Sequence, residues 1–343
     1  MALKIKKDTS RAPLVSAIIV THNRKYSLAR TINSLLESSY KNLEIIVVDD
    51  ASTDGTYDYL VKKYHELIVK GILKVIVNNK ELLPALCVTK ALRQSKGLFI
   101  LIIADDVVVE RNCIEKLMEF LSYKKDAGIV SPIVYYYSKK HKTWWAGSKV
   151  NMLTSRTYVY GRDLRVPRQR YWKSDTFTTI ALVRREIFIN AHNILRYADC
   201  KLFPIHNEEA DFSFKARMKG WNIYVLAEAK AYHDISVPKN GNRTRAYHVH
   251  TPMRAYYAAR NRILLHRKYS KWWKFTLFLT FFNWIFTLYY LKLILSDIKI
   301  AYKDRSKIAI SYLKGIIDGL RMLPQVMYNA EIIDASKKSK FLK

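Results

Sequence analysis

Residues 98–110 read LFILIIADDVVVE. The apolar run from Leu98 to Ala104 meets two adjacent carboxylates, Asp105 and Asp106, before three valines resume. A run this apolar is expected of a strand covered on both faces, as in parallel sheets. Two neighbouring charges within such a strand would be costly without cations or donors around them. The pattern therefore places Asp105 and Asp106 where the strand emerges.

The same design occurs three times upstream. LVSAIIV (14–20) runs into Thr21, His22, Asn23 and Arg24; LEIIVVDD (43–50) ends at Asp49 and Asp50; LKVIVNN (73–79) ends at Asn78 and Asn79. Helical patterns lie between them. Leu28, Ile32, Leu35 and Leu36 share one face, STDGTYDYLVKKY (52–64) offers Ser52 or Thr53 as a cap, and ALCVTKALRQS (85–95) stops at Gly97. Alternating strands and helices predict an α/β fold with a mostly parallel central sheet flanked by helices. Ligands of such sheets bind outside the carboxyl ends of the strands, where all four polar clusters fall.

Beyond Ser131 the chain is less regular and rich in aromatics and arginine. TIALVRREIF (179–188) reads as a strand leading to a helix, and NEEADFSFKARMKGWNIYVL (207–226) as a helix from about Glu208 to Lys219, then a strand. Further on come a basic helix (254–269), an aromatic apolar stretch (272–295), an amphipathic helix (308–323) and a basic tail (336–343).

The 343 residues carry 59 Lys plus Arg against 29 Asp plus Glu, a net charge of +30 that points to an acidic partner. No nucleic-acid-binding signature accompanies the charge, so no specific nucleic acid is expected. Cys87, Cys113 and Cys200 are odd in number and far apart, which fits free thiols in a reducing compartment. The apolar run at Leu14–Val20 is too short for a signal peptide and is read as the first strand.

Three groups could carry chemistry. Asp105 and Asp106 suit a divalent metal bridging a diphosphate, or else capping of the next helix. Asn207, Glu208, Glu209 and Asp211 suit a general base, or else an N-cap with acids favoured by the helix dipole. His233, after a short apolar strand, is a possible metal ligand or an ordinary buried histidine.

Their order resembles the family 2 glycosyltransferases of the GT-A nucleotide-sugar fold, especially membrane-associated rhamnosyl- and galactofuranosyl-transferase-like members. VSAIIVTHNRKYSLARTINSLLESSYKNLEIIVVDDASTDGT resembles that family's first two strands, GLFILIIADDVVVE its D-x-D strand, and NEEADFSFKARMKGW its E-D-x-D helix. AYHDIS resembles the final metal-ligand histidine, and YYAARNRILL the tyrosine and Arg-Asn helix.

The resemblance implies a nucleotide-sugar site at Thr21, Asn23, Arg24, Asp49, Asp50, Asn78 and Asp105. It implies Mn2+ or Mg2+ held by Asp106 and His233. Glu209 becomes the catalytic base, with Glu208 orienting the acceptor and Asp211 capping or pairing with a cation such as Lys215. Trp145, Arg260 and Asn261 fall on the acceptor or membrane side. The implied activity is inverting sugar transfer from a nucleoside diphosphate to a glycan or lipid-linked acceptor in polysaccharide biosynthesis. The competing readings are a nucleotidyltransferase and an inactive basic membrane or nucleic-acid scaffold. The sequence departs from the pattern at Ala104, where the first D of D-x-D belongs, at Thr89 in place of an asparagine, and at NKELLPAL (79–86), where glycines are common.

These readings divide the chain into a GT-A domain (12–250) and a helical membrane-associating region (251–343). The domain has a nucleotide-binding half (about 12–110) and an acceptor-binding half (about 111–250). Phe275–Leu291 is barely long enough to span a bilayer, and lysines flank both ends (Lys271, Lys274, Lys292, Lys299, Lys303). Helices lying on an anionic membrane surface at the cytoplasmic face are expected, with a homo-oligomer possible.

Overall fold

A computed structural model describes residues 12–189, 195–235, 249–296 and 302–326. The basic residues near the N-terminus, Lys299 and the 336–343 tail lie outside the described residues, as does the side chain of Lys303.

Four β-branched runs form the parallel strands β1 (Val15–Thr21), β2 (Leu43–Asp49), β3 (Leu73–Val77) and β4 (Phe99–Ala104). β1 lies between β2 and β4, and β3 pairs with β2. Helices α1 (Lys25–Leu36), α2 (Thr56–Lys63) and α4 (Pro84–Gln94) connect them, with short α3 (His65–Val69) before β3. The parallel arrangement expected from the sequence holds in this half. Among the described residues the sheet has ten strands, including β7 (Lys139–Trp145) and β10 (Tyr171–Ser174), while β8 (Ser148–Asn151) and β9 (Arg156–Val159) pair apart from it. The sheet is mixed, because β11 (Ile180–Arg184) runs antiparallel between β4 and β6 (Ala127–Tyr136). β12 (Asn222–His233) then pairs parallel with β6.

The turn at Asp105–Asp106 leads into β5 (Val107–Val109), which pairs antiparallel with the end of β12 so that Val107 faces His233. This pairing joins two residues 126 positions apart and builds the site. A capping role for Asp105 and Asp106 is overturned: β5 intervenes, and α5 (Cys113–Tyr123) starts only after Asn112. The cap expected at Ser52 or Thr53 is also displaced. α2 starts at Thr56, whose N–H is accepted by Asp54 at 3.0 Å, while Ser52 accepts the Asn23 N–H.

α6 (Glu208–Met218) packs beneath the sheet through Phe212, which stacks on Phe188. Behind it lie α7 (Pro252–Tyr269), an apolar helix at Trp272–Ser296 and a helix at Tyr302–Arg321. α7 and Tyr302–Arg321 touch backbone to backbone. A Cβ on Gly315 would collide with the carbonyl of Tyr256, so only glycine permits this approach.

Candidate active site

The carboxyl ends of β1, β2 and β4 assemble a polar rim. Thr21 Oγ1 donates to Asp105 at 2.8 Å. Arg24 reaches both aspartates, 3.3 Å from Asp105 and 2.7 Å from Asp106. The other oxygen of Asp106 lies 3.1 Å from His233 Nε2. The strand-end pair and the distant histidine thus converge. His233 Nδ1 is buried without a hydrogen-bond partner. Arg30 pairs with Asp234, one residue on.

Burial and the Asp106 charge push the Asp105 carboxyl up to about 6. Burial works the same way on Asp106, but His233 and Arg24 outweigh it and hold its carboxyl below the ordinary value. The rim therefore contains one carboxylate stabilised as an anion and one close to its protonation threshold.

The Asp106 carboxylate oxygen and the His233 imidazole nitrogen, 3.1 Å apart, are donor types that Mn2+ accepts, and the carboxylate suits Mg2+ as well. Among the described residues no group of three His, Cys, Asp or Glu side chains is placed to hold a metal. A metal here would need further ligands beyond these two side chains.

Other residues of the predicted nucleotide site shape the rim. Asp50 is buried, and its carboxylate accepts from Asn78 Nδ2 (2.8 Å), Leu82 N–H (2.8 Å) and Leu83 N–H (2.9 Å). Asp49 accepts the Ser52 N–H at 3.0 Å. Asn23, at φ 55°, accepts the N–H groups of Thr53 and Asp54. These side chains fold two loops around the rim.

The second group begins at α6. His206 and Asn207 take left-handed backbone, φ 58° and 66°. The N-cap expected of Asn207 is absent, because its side chain makes no capping hydrogen bond in that conformation. Glu208 is buried with Oε2 unpartnered, and Glu209 beside it is half-buried. Burial raises both carboxyls, that of Glu208 further because Glu209 repels its charge.

Asp211 differs. It is fully buried between Lys215 and Lys268, each at 2.8 Å, and accepts from Tyr269 (2.6 Å) and the Asp199 N–H (2.8 Å). It anchors α6 to α7, with Lys215 as the expected cation. Arg260 and Asn261 also hold structure together: Asn261 donates to the carbonyls of Ile205 and His206, both at 2.7 Å, and Arg260 to that of Leu202.

Trp145 was expected on the acceptor side, but it is buried in the main core at 4% exposure. Successive residues of a strand face opposite ways. Trp144 is the one at the site, its ring edge-on to His233 with centroids 4.4 Å apart. Sequence reading also missed Lys268 and Tyr269; their spacing gave no hint that they close over Asp211.

A profile of the family described as "Glycosyl transferase family 2" matches residues 16–191, just over half of the 343. A Bacillus subtilis protein named as a teichuronic acid biosynthesis glycosyltransferase is 31% identical over 113 residues, 33% of this chain and 44% of its own. An Escherichia coli UDP-Glc:alpha-D-GlcNAc-diphosphoundecaprenol beta-1,3-glucosyltransferase is 49% identical over 49 residues, 14% of this chain and 20% of its own. The chain thus matches less than half the length of either. The crystal structure of GalNAc-T7 with UDP, GalNAc and Mn2+ superposes with a TM-score of 0.58 at 16% identity, covering 88% of this chain and 55% of that one. At that identity the likeness concerns the fold, which is the α/β GT-A fold.

Proposed function

The chain belongs to glycosyl transferase family 2, and on that premise we propose that it is an inverting, metal-dependent glycosyltransferase. It moves a sugar from a nucleoside diphosphate to a glycan or lipid-linked acceptor at the cytoplasmic membrane surface. The observation that carries the reading is the convergence of Asp106 and His233, 3.1 Å apart, on a strand-end rim. The Glu208–Glu209 pair supplies unpartnered carboxylate oxygen.

In this reading residues 12–250 form the transferase and 251–343 the membrane-associating region. The loops held by Asp49, Asp50, Asn23 and Asn78 cradle the nucleoside. Thr21 fixes Asp105, and Arg24 donates to the diphosphate. Asp106 and His233 would hold Mn2+ or Mg2+, which when bound stabilises negative charge on the leaving diphosphate. The acceptor oxygen forms its bond to the anomeric carbon as the bond to the diphosphate breaks. The leaving phosphate oxygen keeps that electron pair, and Glu209 takes the acceptor proton. A carboxylate whose proton affinity is raised by burial is a stronger base than an ordinary one.

Trp272–Ser296 is the one helix among the described residues long and apolar enough to cross a membrane. One side packs on the protein through Phe278, Asn283, Thr287 and Ile294. The other exposes Trp272 (70%), Phe281 (60%) and Leu288 (70%). A helix with protein on one side and bare aromatics on the other suits lying in a leaflet, with lysines toward anionic headgroups.

The test is titration of purified protein with UDP and GDP, with and without Mn2+, followed by donor hydrolysis across nucleotide sugars. Metal-dependent binding and turnover lost in EDTA are expected. Binding of neither nucleotide would favour the scaffold.

A further inference from the structure

The loop between β3 and α4 contains a backbone outlier. Leu83 has φ 69° and ψ 159°, a region that is essentially glycine's. It directly precedes Pro84, the first residue of α4, and a residue before proline ordinarily rests in extended backbone with negative φ. Two contacts enforce the exception. The Leu82 and Leu83 N–H groups both donate to the buried Asp50 carboxylate, which also takes the Asn78 amide. Lys90 donates to the other end of that amide at 2.6 Å. Two residues on, the Ala85 N–H donates to the carbonyl of Pro204, in the loop leading to Glu208.

Leu83 is thus tied to the strand-end Asp50 by its own N–H and, through Ala85, to the loop that leads into α6. Leu82 packs on the main core, whereas Leu83 is half-buried and belongs to none of the three hydrophobic clusters of the described residues. A strained leucine that contributes nothing to a core is a poor stabiliser of the fold. Glycine would adopt the same backbone without strain, so what a leucine adds here is its side chain.

We propose that Leu83 is a specificity-determining residue, whose apolar side chain walls the sugar pocket and selects among nucleoside-diphosphate sugars. This rests on the glycosyltransferase reading. The strain holds an apolar group rigidly between nucleoside and catalytic carboxylates, where a relaxed loop would let it turn away.

Two variants separate strain from side chain. Leu83→Gly removes both; Leu83→Ala trims the side chain and keeps a Cβ at positive φ. The readouts are melting temperature, UDP and GDP affinity by calorimetry, and kcat/KM for hydrolysis of a panel of UDP-, GDP- and dTDP-sugars. Leu83→Gly is expected to melt higher than wild type and Leu83→Ala is not. Both are expected to keep nucleotide affinity. In both, the kcat/KM ratio between the preferred donor and the next collapses by about 10- to 200-fold, the scale of apolar-pocket discrimination. An unchanged ratio with intact nucleotide binding overturns the role of Leu83 alone. A Leu83→Gly variant that melts well below wild type overturns it too, since the side chain would then serve packing. Absence of nucleoside-diphosphate binding by the wild type is instead the failure of the glycosyltransferase reading.

Discussion

Glu208, Glu209 and Asp211 share the first turn of α6, yet their surroundings are opposite. Asp211 is enclosed by two lysines, a tyrosine hydroxyl and a backbone N–H, and its carboxyl is held below the ordinary value by Lys215 and Lys268 against the opposing effect of burial. Glu208 is also buried but has an oxygen with no partner, and its carboxyl is pushed up. The same dipole favours all three acids, so the difference comes from the partners each one meets: Lys215 of α6 itself, Lys268 and Tyr269 of α7 and the Asp199 N–H all converge on Asp211. A saturated carboxylate joins helices, while an unsaturated one is left with capacity to take a proton.

The largest effect expected from that contrast is at Glu209. Glu209→Gln should lower kcat by about 10²–10⁴ with nucleotide affinity and unfolding midpoint nearly unchanged. Steady-state kinetics beside calorimetry checks this; if Glu208→Gln alone abolishes transfer, the base belongs one residue earlier.

Next comes Asp211→Asn, which leaves the buried Lys268 only the longer contact to Asp199, 3.4 Å away, as counter-charge and should cost about 3 kcal/mol of stability. The sign with pH follows from its depressed folded value. The contribution is present above the unfolded carboxyl value of about 3.9 and is lost as pH falls through the folded one. Urea unfolding at pH 7 should show the full gap from wild type, and unfolding in strong acid a reduced one.

The anchor can be weakened from further away. Gly315→Ala forces the Tyr302–Arg321 helix off α7 at Tyr256 and should cost about 1–3 kcal/mol, read as a lower urea midpoint.

The smallest effect is expected for Glu208→Gln. Glu208 has a raised folded value, so its ionisation opposes folding. Wild-type stability should lose this contribution's benefit as pH rises above the unfolded value of about 4.3 and through the folded one. The variant lacks that slope, and chemical unfolding at pH 5 and pH 8 should show its stability gaining on wild type at the higher pH.

The parallel half of the sheet was legible because β-branched runs end abruptly in polar residues, as at Val20–Thr21 and Val48–Asp49. The rim was legible for the same reason. That His233 would meet Asp106 came through family resemblance; the residues alone could not show that β5 pairs with the end of β12. Trp144 and Trp145 were indistinguishable because adjacent strand residues differ only in the face they take, which a short irregular segment does not reveal. Asn207 looked like a cap by residue type, but its left-handed backbone turns the side chain away from that role. Leu83 left no trace in the pattern, since a positive φ at leucine is imposed by Asp50, more than thirty residues earlier.

Tyr269 ends α7 with its hydroxyl on Asp211, and Trp272, largely bare, opens the apolar helix three residues later. Three residues span at most about 11 Å. α6 is therefore moored to the apolar helix by a tether shorter than the helix it leaves. If lipid covers the exposed tryptophans, the enzyme works at close quarters to the headgroups. It would reach an acceptor hydroxyl near its lipid anchor, whereas the far end of a long glycan would have to bend back to be served.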